Sequence, residues 1–184
     1  SVEQEHVDKL PKLLKAEELT KQSEAYVVAD SIEGWADAIH RLLEYYFVPG
    51  TTKPVFDYSE VRPKGARIAG RFIAPGPDGL RLSLDKIRLL LKGAVAAGQT
   101  RLTALQCTDI IAYLADSVLS GGVRRSALMI LFSPEDKEMV NCKHGDWFST
   151  NPQRARFNMS AALNRGEVDR SVYEYLFEAM RTSG

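Results

Sequence analysis

Cysteine and histidine are scarce, at two and three in 184 residues. Cys107 and Cys142 cannot build a disulfide framework, and no CxxC or clustered Cys/His spacing marks a zinc site. His6, His40 and His144 stand apart and read as surface or packed residues, so no Ser/His/Asp set and no metal site is expected. Net charge of one sign is also missing: 24 Lys and Arg balance 24 Asp and Glu. No global field draws the protein to nucleic acid or to an anionic membrane, and any anion site must be local. Apolar runs fall far short of a membrane span, and Ser1-Val2-Glu3-Gln4-Glu5 is too acidic for a signal peptide. The expectation is a cytoplasmic protein with neither nucleic acid nor membrane as partner.

What is present is a globular composition, 45% hydrophobic and spread along the chain. Ala25 to Ala29 reads as a short strand, and Asp30 with Glu33 as a capping box. Ile32, Trp35, Ala36, Ile39, Leu42, Leu43 and Tyr46 then follow at helical spacing, and Pro49-Gly50 ends the helix. Thr51 to Leu80 is Pro- and Gly-rich, an ordered irregular loop around a short strand. Ser83 is placed to cap a helix to Gly98, and Thr103 with Gln106 to box a second one ending at Ser120-Gly121-Gly122. Leu128 to Phe132 looks like a strand buried on both faces. Ser133-Pro134-Glu135-Asp136 predicts an N-cap and first turn. Residues Arg154 to Ala161 alternate strictly, with Arg154, Arg156, Asn158 and Ser160 on one face. A last helix carries Val172, Tyr173, Leu176, Phe177 and Met180. The order predicts an α/β fold with crossover connections and no clean domain break.

Three groups could carry chemistry. Gly121-Gly122-Val123-Arg124-Arg125-Ser126-Ala127 sets two guanidinium groups beside a freely turning backbone, which suits bidentate contact with phosphate. The same residues suit a solvated turn whose arginines pair with carboxylates. Arg62, Lys64 and Arg67 beside Gly65 and Gly70 form a second basic, glycine-bearing loop, and neither loop is a P-loop. The polar face of the alternating strand fits a ligand cavity or a wet edge equally well. Cys107 falls on an apolar helical stripe as a buried inert thiol, and Cys142 reads as structural or incidental, although Lys143 and His144 beside it could lower its pKa.

The chain resembles the class II, adenosylcobalamin-dependent ribonucleotide reductases at an ordered set of such pieces. They are Val61-Arg62-Pro63-Lys64-Gly65-Ala66-Arg67, Ala74-Pro75-Gly76-Pro77 and Gly121 to Ala127, then Phe132-Ser133, Asp146-Trp147 and Asn151-Pro152-Gln153-Arg154-Ala155-Arg156. The resemblance runs from about Asp30 to about Leu163. It implies a segment of that family's ten-stranded α/β barrel, one partial domain with a helical part at 1–50, an effector-loop part at 51–82 and a βα part at 83–184. By position, it implies that Arg67, Ala69 and Gly70 bind a deoxynucleoside triphosphate effector. Ser120, Gly121, Gly122, Val123, Arg124 and Arg125 would form the loop relaying specificity to the substrate, with Arg154, Arg156, Asn158 and Ser160 facing that substrate. The reaction implied replaces the ribose 2′-hydroxyl with hydrogen through a thiyl radical that adenosylcobalamin initiates.

Three departures shape the expectation. The family's Asn-Pro-Cys-x-Glu radical finger has no match in the chain, since Asn151-Pro152 runs into Gln153. The resemblance therefore implies partner reductase chains carrying the radical cysteine and most of the cobalamin site, and an inactive isolated chain. Gly70-Arg71-Phe72-Ile73 stands where the family carries a glycine pair, and the bulky residues restrict backbone approach. The family's Arg-Gly-Arg-x-Asn-Asn-Ser becomes Arg154-Ala155-Arg156-Phe157-Asn158-Met159-Ser160. If its apolar face packs on helices the site persists; if it faces the barrel interior, Phe157 and Met159 fill substrate space. The competing reading is a non-catalytic homologue serving as a structural or nucleotide-binding component of a larger assembly.

Overall fold

The chain begins its regular structure with a parallel pair, β1 (Ser23–Val27) and β2 (Lys53–Asp57), joined by helix α1 (Ile32–Phe47). The computed structural model describes residues 10–68, 72–117 and 127–183. They divide into two compact units, residues 1–102 and 103–184.

In the first unit the register pairs Ala25 with Val55 and Tyr26 with Phe56. Helix α1 is capped one residue later than the spacing predicts: Ser31, not Asp30, accepts the Gly34 amide at 2.9 Å. Its buried stripe is Ala38, Leu42, Tyr45 and Tyr46, which leaves Ile32 86% exposed. Helix α2 (Asp78–Ala96) starts a full turn before the expected Ser83 cap. Ser83 instead lies buried within it, beside Leu80, Leu84, Ile87, Leu91 and Ala94 on the stripe that forms the unit's core. Leu13 and Leu14 close this core, their amides donating to the Thr100 and Tyr46 carbonyls at 2.9 Å each. Between β2 and α2 the chain makes a small hairpin, β3 (Arg67–Ile68) against β4 (Phe72–Ile73).

The second unit starts with helix α3 (Ala104–Ser117), where the Thr103/Gln106 capping box forms in full. Its expected end at Ser120-Gly121-Gly122 lies outside the described residues. Strand β5 (Leu128–Phe132) pairs in parallel with β6 (Phe157–Ala161), Leu128 opposite Phe157 and Phe132 opposite Ala161. Strand β5 is not buried on both faces. Leu128, Ile130 and Phe132 pack inward, while Met129 and Leu131 are 66% and 68% exposed, because nothing described covers the second face. The connection holds two short helices, α4 (Lys137–Val140) and α5 (Trp147–Thr150). Asp136 rather than Ser133 caps α4, accepting the Met139 amide at 3.0 Å. The strictly alternating segment is only partly strand. Pro152–Arg156 form a 3-10 helix, as the fixed φ of a leading proline favours, and the strand begins at Phe157. Helix α6 (Arg170–Ser183) ends the described chain, with Tyr173, Phe177 and Met180 exposed. Among the described residues no helix is long and apolar enough to cross a membrane.

Candidate functional site

Helix α3 carries two carboxylates, Asp109 and Asp116, two turns apart on one face. The 3-10 turn before β6 presents two arginines to them. Arg154 donates through Nε to Asp109 Oδ1 at 3.1 Å and through Nη2 to Oδ2 at 2.9 Å, a forked contact. Its Nη1 donates to the Cys142 carbonyl at 2.7 Å, and Gln153 Nε2 adds a bond to Asp109 Oδ1 at 3.0 Å. The pair is nearly dry, with side chains 13% and 7% exposed. Burial pulls the Arg154 pKa down, but the Asp109 carboxylate outweighs it and holds the guanidinium above its ordinary value. Arg156 pairs with Asp116 through Nε on Oδ1 at a wetter position.

These contacts account for both arginines of the expected polar face. They brace the helix instead of lining one face of a strand, because the 3-10 turn rotates them off the β6 alternation. Asn158 and Ser160 remain on β6 proper, opposite Met129 and Leu131 of β5, on the bare face of that sheet. Their neighbours point the other way. Phe157 is 1% exposed within a core of Leu105, Ala112, Met139 and Cys142, and Met159 packs against the same core. The bulky substitutions therefore pack on helix α3 and its neighbours.

Of the two cysteines, Cys107 departs from expectation. Cys107 is exposed, since the buried stripe of α3 runs through Leu105, Thr108 and Ala112. Cys142 is buried, and burial pushes its thiol up despite nearby Arg154 and Lys143. Lys143 turns away, donating to the Phe157 carbonyl at 2.6 Å, while the Cys142 sulfur rests 3.6 Å from that of Met159.

In the first unit, the basic loop is a hairpin closed by the Gly65 amide on the Ala74 carbonyl at 3.0 Å and the Ala74 amide on Ala66 at 2.8 Å. Arg62 is drawn to Asp30, at the mouth of α1, by an ion pair. Gly76, at φ +77°, lies so close to the Lys64 backbone that a Cβ would come within 2.8 Å of its nitrogen. Arg67 is exposed on strand β3 of this hairpin, whereas Ala69 and Gly70 lie outside the described residues. So do Ser120, Gly121, Gly122, Val123, Arg124 and Arg125. In the same unit, a cleft of about 550 Å³ runs between β2 and α2, lined by Phe56, Tyr58, Arg81, Asp85 and Arg88. Arg81 lies 4.9 Å over the Tyr58 ring, and Arg88 donates to the Pro54 carbonyl at 3.1 Å.

Asp109 and Asp116 went unmarked in the sequence reading. The acids stand seven positions apart and the arginines only two, more than thirty positions downstream, so no local spacing pairs them.

No family model matches the chain. The adenosylcobalamin-dependent ribonucleoside-triphosphate reductase of Lacticaseibacillus paracasei is 37% identical over 143 residues, covering 71% of this chain and 19% of the relative. A probable reductase of the same kind from Dictyostelium discoideum is 32% identical over 72% of this chain, and that of Euglena gracilis 28% over 90%. A crystal structure of a B12-dependent (class II) ribonucleotide reductase matches 82% of the chain with a TM-score of 0.66 and 27% identity. The chain spans about a fifth of the length of these proteins, between 17% and 22%. By sequence and by fold, it belongs with the class II, adenosylcobalamin-dependent ribonucleotide reductases and corresponds to one segment of them.

Proposed function

We propose that this chain is the nucleotide-handling segment of a cobalamin-dependent ribonucleotide reductase, an oxidoreductase that makes deoxyribonucleotides. The observation that carries the proposal is the joint likeness in sequence and fold to reductases of this class. The hairpin loop with Arg67, Ala69 and Gly70 takes the effector, a deoxynucleoside triphosphate, and Ser120 to Arg125 relay its identity. Asn158 and Ser160 form the substrate-facing part of β6, because the buried packing of Phe157 and Met159 leaves that polar face clear. Arg154 and Arg156 serve that face as braces.

Adenosylcobalamin supplies the radical when bound to the complete enzyme. Among the described residues no cluster of His, Cys, Asp or Glu is arranged to hold a metal ion. The cleft beside β2 is lined by charged side chains already stacked or bonded to their neighbours, which ill suits a corrin. In this reading the cofactor and the radical cysteine belong to partner reductase segments. The tasks left to this chain are to bind a polyanionic nucleotide through arginines and backbone amides and to orient the β6 face.

Titration calorimetry with dATP, dGTP, dCTP and dTTP, on the chain alone and assembled with the rest of its reductase, tests this reading. Binding that weakens in Arg67→Ala and in Arg124→Ala/Arg125→Ala is the expected result. Absence of binding in every assembled state, with those variants silent, overturns it and leaves a structural homologue.

A further inference from the structure

Helix α2 presents Arg81, Asp85 and Arg88 to the cleft it shares with β2. Asp85 stands four positions after Arg81 and three before Arg88, the spacings at which helical ion pairs close. Neither pair closes among the described residues. The guanidinium groups reach to aromatic rings instead, Arg81 lying 4.9 Å over Tyr58 and Arg88 5.7 Å over Phe56. Arg88 is further tied through Nη2 to the Pro54 carbonyl at 3.1 Å. The Asp85 carboxylate is thus left between two cations, with no hydrogen-bond partner among the described residues.

This arrangement is prepared for a ligand. A guanidinium laid flat on a ring keeps its in-plane N–H donors for other partners, and stacking fixes its plane before any partner arrives. Arg81 makes no side-chain hydrogen bond among the described residues, so its whole fork is available. Arg81 and Arg88 stand about 10 Å apart along the helix axis. The cleft, at about 550 Å³, is of the size that takes a small metabolite.

The three charges narrow the chemistry. Two guanidinium groups select an anion. The carboxylate between them repels a bare polyanion and accepts only hydrogen-bond donors. A ligand that satisfies both has an anionic group at one end and hydroxyl groups next to it. We propose that the cleft binds a phosphate monoester carrying a vicinal diol, with Arg81 on the phosphate and Asp85 on the hydroxyls. Arg88, with one donor already committed, takes a ring or base acceptor at the far end. The site uses none of Arg67, Ala69, Gly70 or residues 120–125, so it stands apart from the effector reading, and no bond is made or broken in it.

The test is isothermal titration of the chain with ribose 5-phosphate, AMP, 2′-deoxy-AMP and inorganic phosphate. Ribose 5-phosphate and AMP should both bind. The tighter of the two identifies the source, AMP for a ribonucleotide and ribose 5-phosphate for a free sugar phosphate. The deoxynucleotide, lacking one hydroxyl, should bind about tenfold more weakly than AMP, the loss expected for a hydrogen bond to a charged group. Arg81→Gln should weaken ribose 5-phosphate and AMP by about tenfold or more. Asp85→Asn should act with opposite signs, weakening both diol ligands while tightening inorganic phosphate, and Arg67→Ala should change nothing. Arg81 and Asp85 are exposed, so melting temperatures should stay near the parent's. The ligand series on the parent protein decides the matter even where a variant loses stability. Absence of binding by both ribose 5-phosphate and AMP overturns the proposal. Equal affinity for AMP and its deoxy form also overturns it, as does an Asp85→Asn variant that tightens every ligand alike, the mark of a plain cationic patch.

Discussion

Arg154 grips the Asp109 carboxylate with two nitrogens, at 3.1 and 2.9 Å, and spends its third on the Cys142 carbonyl. All three nitrogens of the guanidinium are thus engaged, and Gln153 satisfies part of the remaining carboxylate capacity. Removing one partner strands a buried charge, which costs roughly 3–5 kcal/mol. Asp109→Ala should therefore unfold the second unit at markedly lower urea, with Trp147 as its reporter in a Trp35→Phe background. Asp116→Ala removes a hydrated pair and should cost only about 1 kcal/mol or less. Equal effects from the two substitutions would refute the contrast between a dry pair and a hydrated one.

Some of this architecture could be read from residue order alone. The Thr103/Gln106 box was legible because both partners lie within one turn and need nothing from the rest of the fold. The same logic misplaced Asp30 as a cap. A carboxylate can serve a helix or an arginine, and Arg62 arrives from 32 positions away. Alternation marked Asn158, Met159 and Ser160 correctly but ran too far towards the N-terminus, because Pro152 sets a helical φ that periodicity does not register. Which way Phe157 faces was open in the sequence, since both faces of the segment carry bulky groups. Its place beside Leu105 and Ala112 is settled by helix α3, a partner more than forty positions earlier. The braces at Asp109 and Asp116 were missed for the same reason: a long-range ion pair has no local pattern.

Tyr58 should give the protein an alkaline weak point. Burial, reinforced by nearby Asp85 and opposed by Arg81 and Arg88, pushes its phenol up to about 12. An unfolded tyrosine ionises near about 10. Between those values the unfolded chain has released its proton and the folded one has not, so stability falls as pH rises. The contribution is intact below about pH 10 and is lost on approaching about pH 12. Burial also pushes Tyr46 and Tyr113 up, so phenolate absorbance should show a late-titrating component that shrinks by one tyrosine in Tyr58→Phe. That variant should also lose less stability than the parent between about pH 10 and about pH 12. Identical pH dependence in the two proteins would contradict the burial of the ring.

Gly34 sits in the first turn of α1 with its amide on the Ser31 hydroxyl. A Cβ there would lie 2.5 Å from the Ala29 carbonyl oxygen and 2.7 Å from the Ala29 Cβ. Alanine ordinarily gains up to about 1 kcal/mol over glycine within a helix. Overpacking against a backbone that cannot yield costs about 1–3 kcal/mol, so crowding wins. Gly34→Ala should lower the melting temperature of the first unit, followed through Trp35 with Trp147 replaced. A variant as stable as the parent would mean that the α1 entry is looser than this contact.

Leu131 tests how the chain behaves on its own. With Met129 it stands on a bare face beside Asn158 and Ser160, in a sheet of two strands whose outer edges are unpaired among the described residues. Such edges and apolar faces recruit other chains, and a second copy is the partner always at hand in a purified sample. Light scattering should show a mass that grows with concentration. Leu131→Lys places a charge on the exposed face without touching the Phe157 core, so it should suppress association while leaving the melting temperature within about 0.5 kcal/mol equivalent of the parent. The opposite substitution pattern supplies the control: Leu128→Lys falls on the inward face and should unfold the unit. A chain that stays monomeric at all concentrations, with Leu131→Lys indistinguishable from it, would show that the bare face is not adhesive and would weaken the case that it awaits the rest of a barrel.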